Sequence, residues 1–152
     1  MGRAFLITLA IASAAVVIAC SSAGSSASAG SSGTTGTGTA LTGKTWQLTA
    51  ITEKVPAFQG VVPAADQANY TIEFKADGTY SAKADCNMVS GTYTTTSAGG
   101  LTIVLGPSTL VACPEGSLGS QYVAGLGNAA SYAIADGQLT ITLKDGGTLV
   151  YK

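Results

Sequence analysis

A chain of 152 residues with 46% hydrophobic side chains holds one ordinary domain and little more. Its formal net charge is −1, only 10% of its residues are charged, and it has no histidine. Nucleic-acid binding is excluded, because it needs several Lys or Arg on one face to displace phosphate counterions, and no basic cluster occurs. Without imidazole, Ser-His-Asp and Cys-His catalysis, the common zinc sites and any imidazole acid–base step near neutral pH are also removed.

Residues 1–19 have a purpose of their own. Gly2 and Arg3 make a short basic start, and Ala4 to Ala19 is an uncharged apolar run. A basic start, an apolar stretch and small residues at its end describe a secretory signal. The run is short for a spanning helix, which needs about 20 apolar residues. Val17-Ile18-Ala19-Cys20 closes it and Ser21-Ser22 follows. That ending resembles the lipobox of bacterial lipoproteins. The resemblance implies cleavage before Cys20 and acylation of its sulfur and amine. The alternative is a plain signal peptide or anchor with an incidental cysteine. Each buried methylene adds about 0.8 kcal/mol, so two or three chains would hold the protein on a membrane it does not cross. The expected partner is thus a membrane, in a bacterial cell envelope, with the domain facing outside the cytoplasm.

Residues 20–40 are nearly all Ser, Gly, Thr and Ala after the cysteine. Such a segment cannot bury enough apolar surface to offset its chain entropy, and it reads as a flexible tether. The folded domain is expected over 41–152.

Its first strand is read from Trp46, Leu48 and Ala50, which alternate with Thr45, Gln47 and Thr49. Lys54 to Asn69 contains Pro56, Gly60 and Pro63 and has no period, so a long loop across one end of the sheet is expected. Tyr70, Ile72 and Phe74 then face one way and Thr71, Glu73 and Lys75 the other. Asp77-Gly78 supplies a tight hairpin turn, since Gly tolerates positive φ. The returning strand carries Tyr80, Ala82, Ala84 and Cys86 on one face, which would point Cys86 inward. Gly91 to Thr96 forms another strand, turned by Ala98-Gly99-Gly100, and Leu101, Ile103 and Leu105 return until Gly106-Pro107 breaks the run.

Ser117 is an N-cap candidate. Leu118, Tyr122, Leu126 and Ala129 or Ala130 follow at helical spacing. Gly119, Gly125 and Gly127 each cost up to about 1 kcal/mol in a helix, so this helix must lean on packing. Two hairpins close the chain, turning at Asp136-Gly137 and at Asp145-Gly146-Gly147. The repeated hairpin spacing argues for a mainly β protein, a small antiparallel barrel or half-barrel with one helix over one end.

Gly43-Lys44-Thr45-Trp46-Gln47-Leu48, then Cys86-Asn87, Ser90-Gly91-Thr92-Tyr93, Ser108-Thr109 and Ala112-Cys113-Pro114 resemble the META domain, the HslJ-like family. The resemblance continues through Leu126, Tyr132, Leu139-Thr140-Ile141 and Gly147-Thr148-Leu149. It implies a lipocalin-like topology, members that are often envelope proteins or lipoproteins, some of them linked to stress response, and no transferable catalytic residue.

In an exported chain an oxidising compartment favours a disulfide. With Cys20 taken by lipid, Cys86 and Cys113 remain as the pair. Two reduced buried cysteines or a redox-active pair are the alternatives, although neither close Cys-x-x-Cys spacing nor nearby cations are present. Asn87 is expected to cap a turn through its own side chain rather than touch a ligand. The carboxylates are scattered, three of them in Asp-Gly turns, with no general acid–base pair or calcium loop. Trp46 and the tyrosines are expected to be core, with a ligand-lined pocket as the alternative. The reading that follows is a monomeric, non-enzymatic, cofactor-free envelope protein that binds an unknown partner or small ligand. A carrier of an apolar ligand inside the barrel is second.

Overall fold

A computed structural model describes residues 41–152. The expected signal, Cys20 and the expected tether lie outside these residues.

Nine strands and one helix follow in order: β1 (Thr45–Lys54), β2 (Ala57–Val61), β3 (Tyr70–Phe74), β4 (Thr79–Ala84), β5 (Asn87–Thr95), β6 (Leu101–Ser108), α1 (Gly119–Gly127), β7 (Ala129–Ala135), β8 (Gln138–Leu143) and β9 (Thr148–Tyr151). Eight of them form one curled antiparallel sheet in the order β6-β5-β4-β3-β1-β9-β8-β7, and β2 pairs with β1. The first strand therefore joins the two halves by pairing with β3 on one side and β9 on the other. This is a mainly β half-barrel with one helix, as the hairpin spacing suggested.

The two outer strands nearly meet. Gly100 and Ser131 form an isolated antiparallel bridge, and the Tyr132 N–H donates to the Gly99 carbonyl at 2.9 Å. Away from that bridge the helix covers the opening. A Cβ at Gly119 would stand 2.9 Å from the Ala84 carbonyl oxygen of β4, and one at Gly125 would stand 3.0 Å from Leu149 Cδ2 of β9. The helix sits close to the sheet because small residues let it, while its buried Tyr122 and Leu126 point into the barrel. Packing of this kind offsets the low helix propensity of glycine.

Tyr70, Ile72 and Phe74 are buried as alternation predicts. The expected turns at Asp77-Gly78 and Asp136-Gly137 are present. Asp136 and Gly137 have φ of 52° and 76°, which is the geometry a tight two-residue hairpin turn asks for.

Four local expectations are corrected. In β1 the inward face runs Trp46, Leu48 and then Ile51, because a bulge between Leu48 and Ala50 inserts a residue and shifts the phase past Ala50. The expected loop of 54–69 contains β2, whose five residues pair with Ala50 to Lys54. It is an edge strand with little burial contrast, so no period marks it. The Gly106-Pro107 step does not end β6, which continues to Ser108 across an irregularity opposite Val89 and Gly91. A proline is tolerated at an edge-strand bulge, where no ladder N–H is required. Finally, β4 stops at Ala84 and β5 starts at Asn87, earlier than Gly91. The intervening Asp85 takes φ of 60°, and the turn it makes carries Cys86 out to solvent rather than inward.

Candidate binding cleft

The β4–β5 turn is the base from which the most developed cleft is built. Cys86 sits in that turn and is bonded to Cys113, with the Cα atoms 5.5 Å apart. The bond ties the hairpin to the segment leading from β6 to the helix. Asn87, the next residue, does a related job by hydrogen bonding. Its Oδ1 accepts the Val111 N–H at 2.7 Å, and its Nδ2 donates to the Val111 carbonyl at 2.9 Å. One side-chain amide thereby stands in for a strand neighbour of Val111. The Thr109 hydroxyl donates to the same Oδ1 at 3.0 Å and accepts the Met88 N–H at 2.9 Å. Asn87 is thus a clamp on a distant loop, not a cap on its own turn.

Facing this loop is the start of α1. The helix begins one residue after the position that Ser117 would predict as a cap. Leu118 occupies the N-cap position, and its N–H donates to the Tyr70 hydroxyl at 3.0 Å. Ser117 still contributes, since its Oγ accepts the Gly119 N–H at 3.1 Å.

Between the two walls lies a cleft of about 510 Å³, with Ala84 and Asn87 at its base, residues 108–114 on one side, and Ser117, Gly119, Ser120 and Val123 on the other. No Asp, Glu, Lys or Arg lines it, and none occurs anywhere from Cys86 to Pro114. The loop is exposed at its tip: Leu110 is 94% accessible and Val111 59%. The uncharged run was the one signal in the sequence that could have marked this surface. The pairing of Asn87 with Val111 left no such mark, since asparagine serves many turns.

Chemistry in this cleft is confined to hydrogen bonding and apolar contact. The disulfide does not titrate, and no charged group is aimed at a common point within it. Among the described residues, no cluster of three His, Cys, Asp or Glu side chains is placed to hold a metal.

The barrel interior is a separate space and is occupied by side chains. Trp46, Phe74, Tyr80, Tyr122 and Tyr151 are all buried within it. Trp46 donates its indole N–H to the Leu41 carbonyl at 2.9 Å. Burial pushes the Tyr122 and Tyr151 phenols upward, so both stay protonated at any physiological pH. These five aromatic side chains are core, as expected.

Residues 39–152 match the family model of the META domain. The chain belongs to the META family. Its likeness to solved structures extends to a protein from Burkholderia xenovorans solved by NMR, at a TM-score of 0.59 and 24% identity over 74% of this chain and 82% of that one. A DUF4847 family protein from Bacteroides vulgatus ATCC 8482 is similar at a TM-score of 0.51 and 16% identity, over 73% of this chain and 92% of the other. These two share the fold. No curated protein matches the chain. Neither the META domain nor these neighbours is named for an enzymatic activity. The Cys86–Cys113 bond of this META domain is the pairing expected of its two cysteines, whereas β2 is an element the residue pattern did not lead one to expect.

Proposed function

We propose that the chain is a lipid-anchored protein of the bacterial cell envelope, facing outside the cytoplasm, whose META domain is a monomeric, non-catalytic binding module with an envelope stress-related role. One relationship carries this reading. The chain enters the domain at Leu41, whose carbonyl accepts the Trp46 indole N–H, and Thr42, which bridges to Phe74 at the end of β3. The cleft opens at the other end of the same strand pair, where Tyr70 faces Ala84. The two ends are about 13 Å apart along β3 at the usual strand rise. The cleft therefore lies at the end of the strand pair opposite the one where the chain enters, and a Ser- and Gly-rich tether of the kind read at 20–40 would leave it accessible.

The lipobox-like ending at Cys20 supports the anchor, and the uncharged cleft supports binding over catalysis. The test is Cys20→Ser. That variant is expected to leave the membrane fraction for the soluble fraction. Retention on membranes after detergent-free washing would identify the apolar run as a transmembrane anchor and overturn the lipid attachment.

A further inference from the structure

We propose that the cleft binds an extended, uncharged peptide segment, which pairs as an added strand with the backbone of Leu110 and Ala112. The proposal deepens the binding-module reading above and rests on it.

The loop offers an ordered backbone edge. Thr109 donates its N–H to the Met88 carbonyl at 3.0 Å, and Val111 gives both its N–H and its carbonyl to Asn87. These two residues turn their polar backbone groups toward β5. In an extended chain the groups of alternate residues point to opposite sides. Leu110 and Ala112 are the residues that alternate with these two, and among the described residues neither has a hydrogen-bonded backbone N–H or carbonyl. Both residues line the cleft. Two donors and two acceptors at two-residue spacing match one chemical partner best, another extended peptide backbone, and addition to a free edge is a recurring way for peptides to bind.

The remaining features fit that occupant. The cleft volume of about 510 Å³ lies within the ordinary range for binding sites. Its opposite wall has no side chain at Gly119, a small hydroxyl at Ser120 and an apolar face at Val123. Peptide side chains could pack there without meeting a charge, which is why the ligand is assigned as uncharged. Phosphates and polyanions find no cation in the lining. The edge is also held before any partner arrives, by the Cys86–Cys113 bond and the Asn87 clamp. A preformed edge loses little further freedom on binding.

The test uses the full chain, ¹⁵N-labelled, in detergent micelles, with an acetylated and amidated Thr/Val tetrapeptide as the probe. Saturable amide shifts are expected at Leu110, Ala112 and the first turn of α1. N-methylation of alternate residues of the probe removes its donors and is expected to weaken binding by about tenfold. Ser120→Arg, at an exposed helix position whose side chain makes no hydrogen bond, should abolish the shifts while the amides of the sheet stay in place. Absence of a saturable shift, or equal binding of the N-methylated probe, overturns the proposal. So does a response of these amides to the phosphatidylcholine content of the micelle alone, which would make the edge a lipid contact. Membrane release of Cys20→Ser is a separate measurement, so failure of the anchor and failure of peptide pairing are told apart.

Discussion

The side-chain amide of Asn87 hydrogen-bonds both backbone groups of Val111, at 2.7 and 2.9 Å, across a sequence separation of 24 residues. A side-chain amide can do this at neutral pH because it carries a donor and an acceptor side by side. Asn87→Ala is expected to destabilise the protein by about 1–3 kcal/mol, two ordinary hydrogen bonds with a part-exposed loop left unpaired. Asn87→Asp keeps the acceptor but turns a carboxylate oxygen on the Val111 carbonyl, so it should not restore stability at neutral pH. Chemical denaturation of the three proteins checks this. A variant Asp as stable as the parent would show that the donor half of the pair contributes nothing.

The disulfide acts on the same loop through the unfolded state. Its two ends are 27 residues apart, and closing a loop of that length contributes about 3.5 kcal/mol in the chain-entropy model. Cys86→Ser with Cys113→Ser should lower the denaturant midpoint accordingly. Because the Asn87 clamp and the disulfide restrain one segment, the triple variant is expected to lose less than the sum of the separate losses. Additive losses would mean that the two restraints act on independent structure.

Two helix glycines should respond to alanine with opposite signs. In a free helix Gly→Ala gains up to about 1 kcal/mol. At Gly119 the new Cβ would meet the Ala84 carbonyl oxygen at 2.9 Å, a backbone atom that cannot turn aside. Gly119→Ala is therefore expected to destabilise. At Gly127 the nearest atom is Leu105 Cδ1 at 3.1 Å, the end of an exposed side chain. Gly127→Ala should be neutral or stabilising. Thermal melts of the two variants decide the matter, and the same sign at both positions would contradict this account of helix placement.

Acid stability should depend on Asp145. Its carboxylate accepts the N–H groups of Gly147 at 2.8 Å, Lys54 at 2.6 Å and Val55 at 3.1 Å, joining the last hairpin turn to the end of β1. Those donors, Gly147 first, hold the carboxyl below the usual carboxylate range. A group whose folded value is depressed adds stability above its unfolded value, near pH 3.9, and loses it as pH falls through the folded value. Asp145→Ala should thus lower the melting temperature at pH 7. The gap from the parent should close as the pH drops below about 4. An unchanged gap down to pH 2 would remove the carboxylate from the explanation.

Much of this architecture could be read from local sequence. Alternating apolar residues mark β3, β8 and β9, and Asp-Gly pairs mark their turns. Those signals are legible because a strand face and a two-residue turn depend on neighbours in sequence. The ordered residue set of the META family was legible for the same reason, as a fixed pattern along the chain, while the pairing of the two domain cysteines was expected from compartment and elimination.

Tertiary structure alone decided where those patterns break. The bulge in β1 exists because one strand must pair with β3, β2 and β9 at once, and the last of these lies about 100 residues away. The strand at Ala57–Val61 forms because a partner edge is present, not because its own residues alternate. Asp85 at positive φ turns Cys86 outward, and that single rotation sets the disulfide on the surface. The cleft follows from all of these together. Its walls come from a loop after β6 and the start of a helix, and its base from the hairpin of β4 and β5, so no contiguous stretch contains it. What sequence by itself determined was the class of fold, its staple and the absence of catalytic imidazole. Long-range pairing, which local propensity does not encode, determined where the cleft lies.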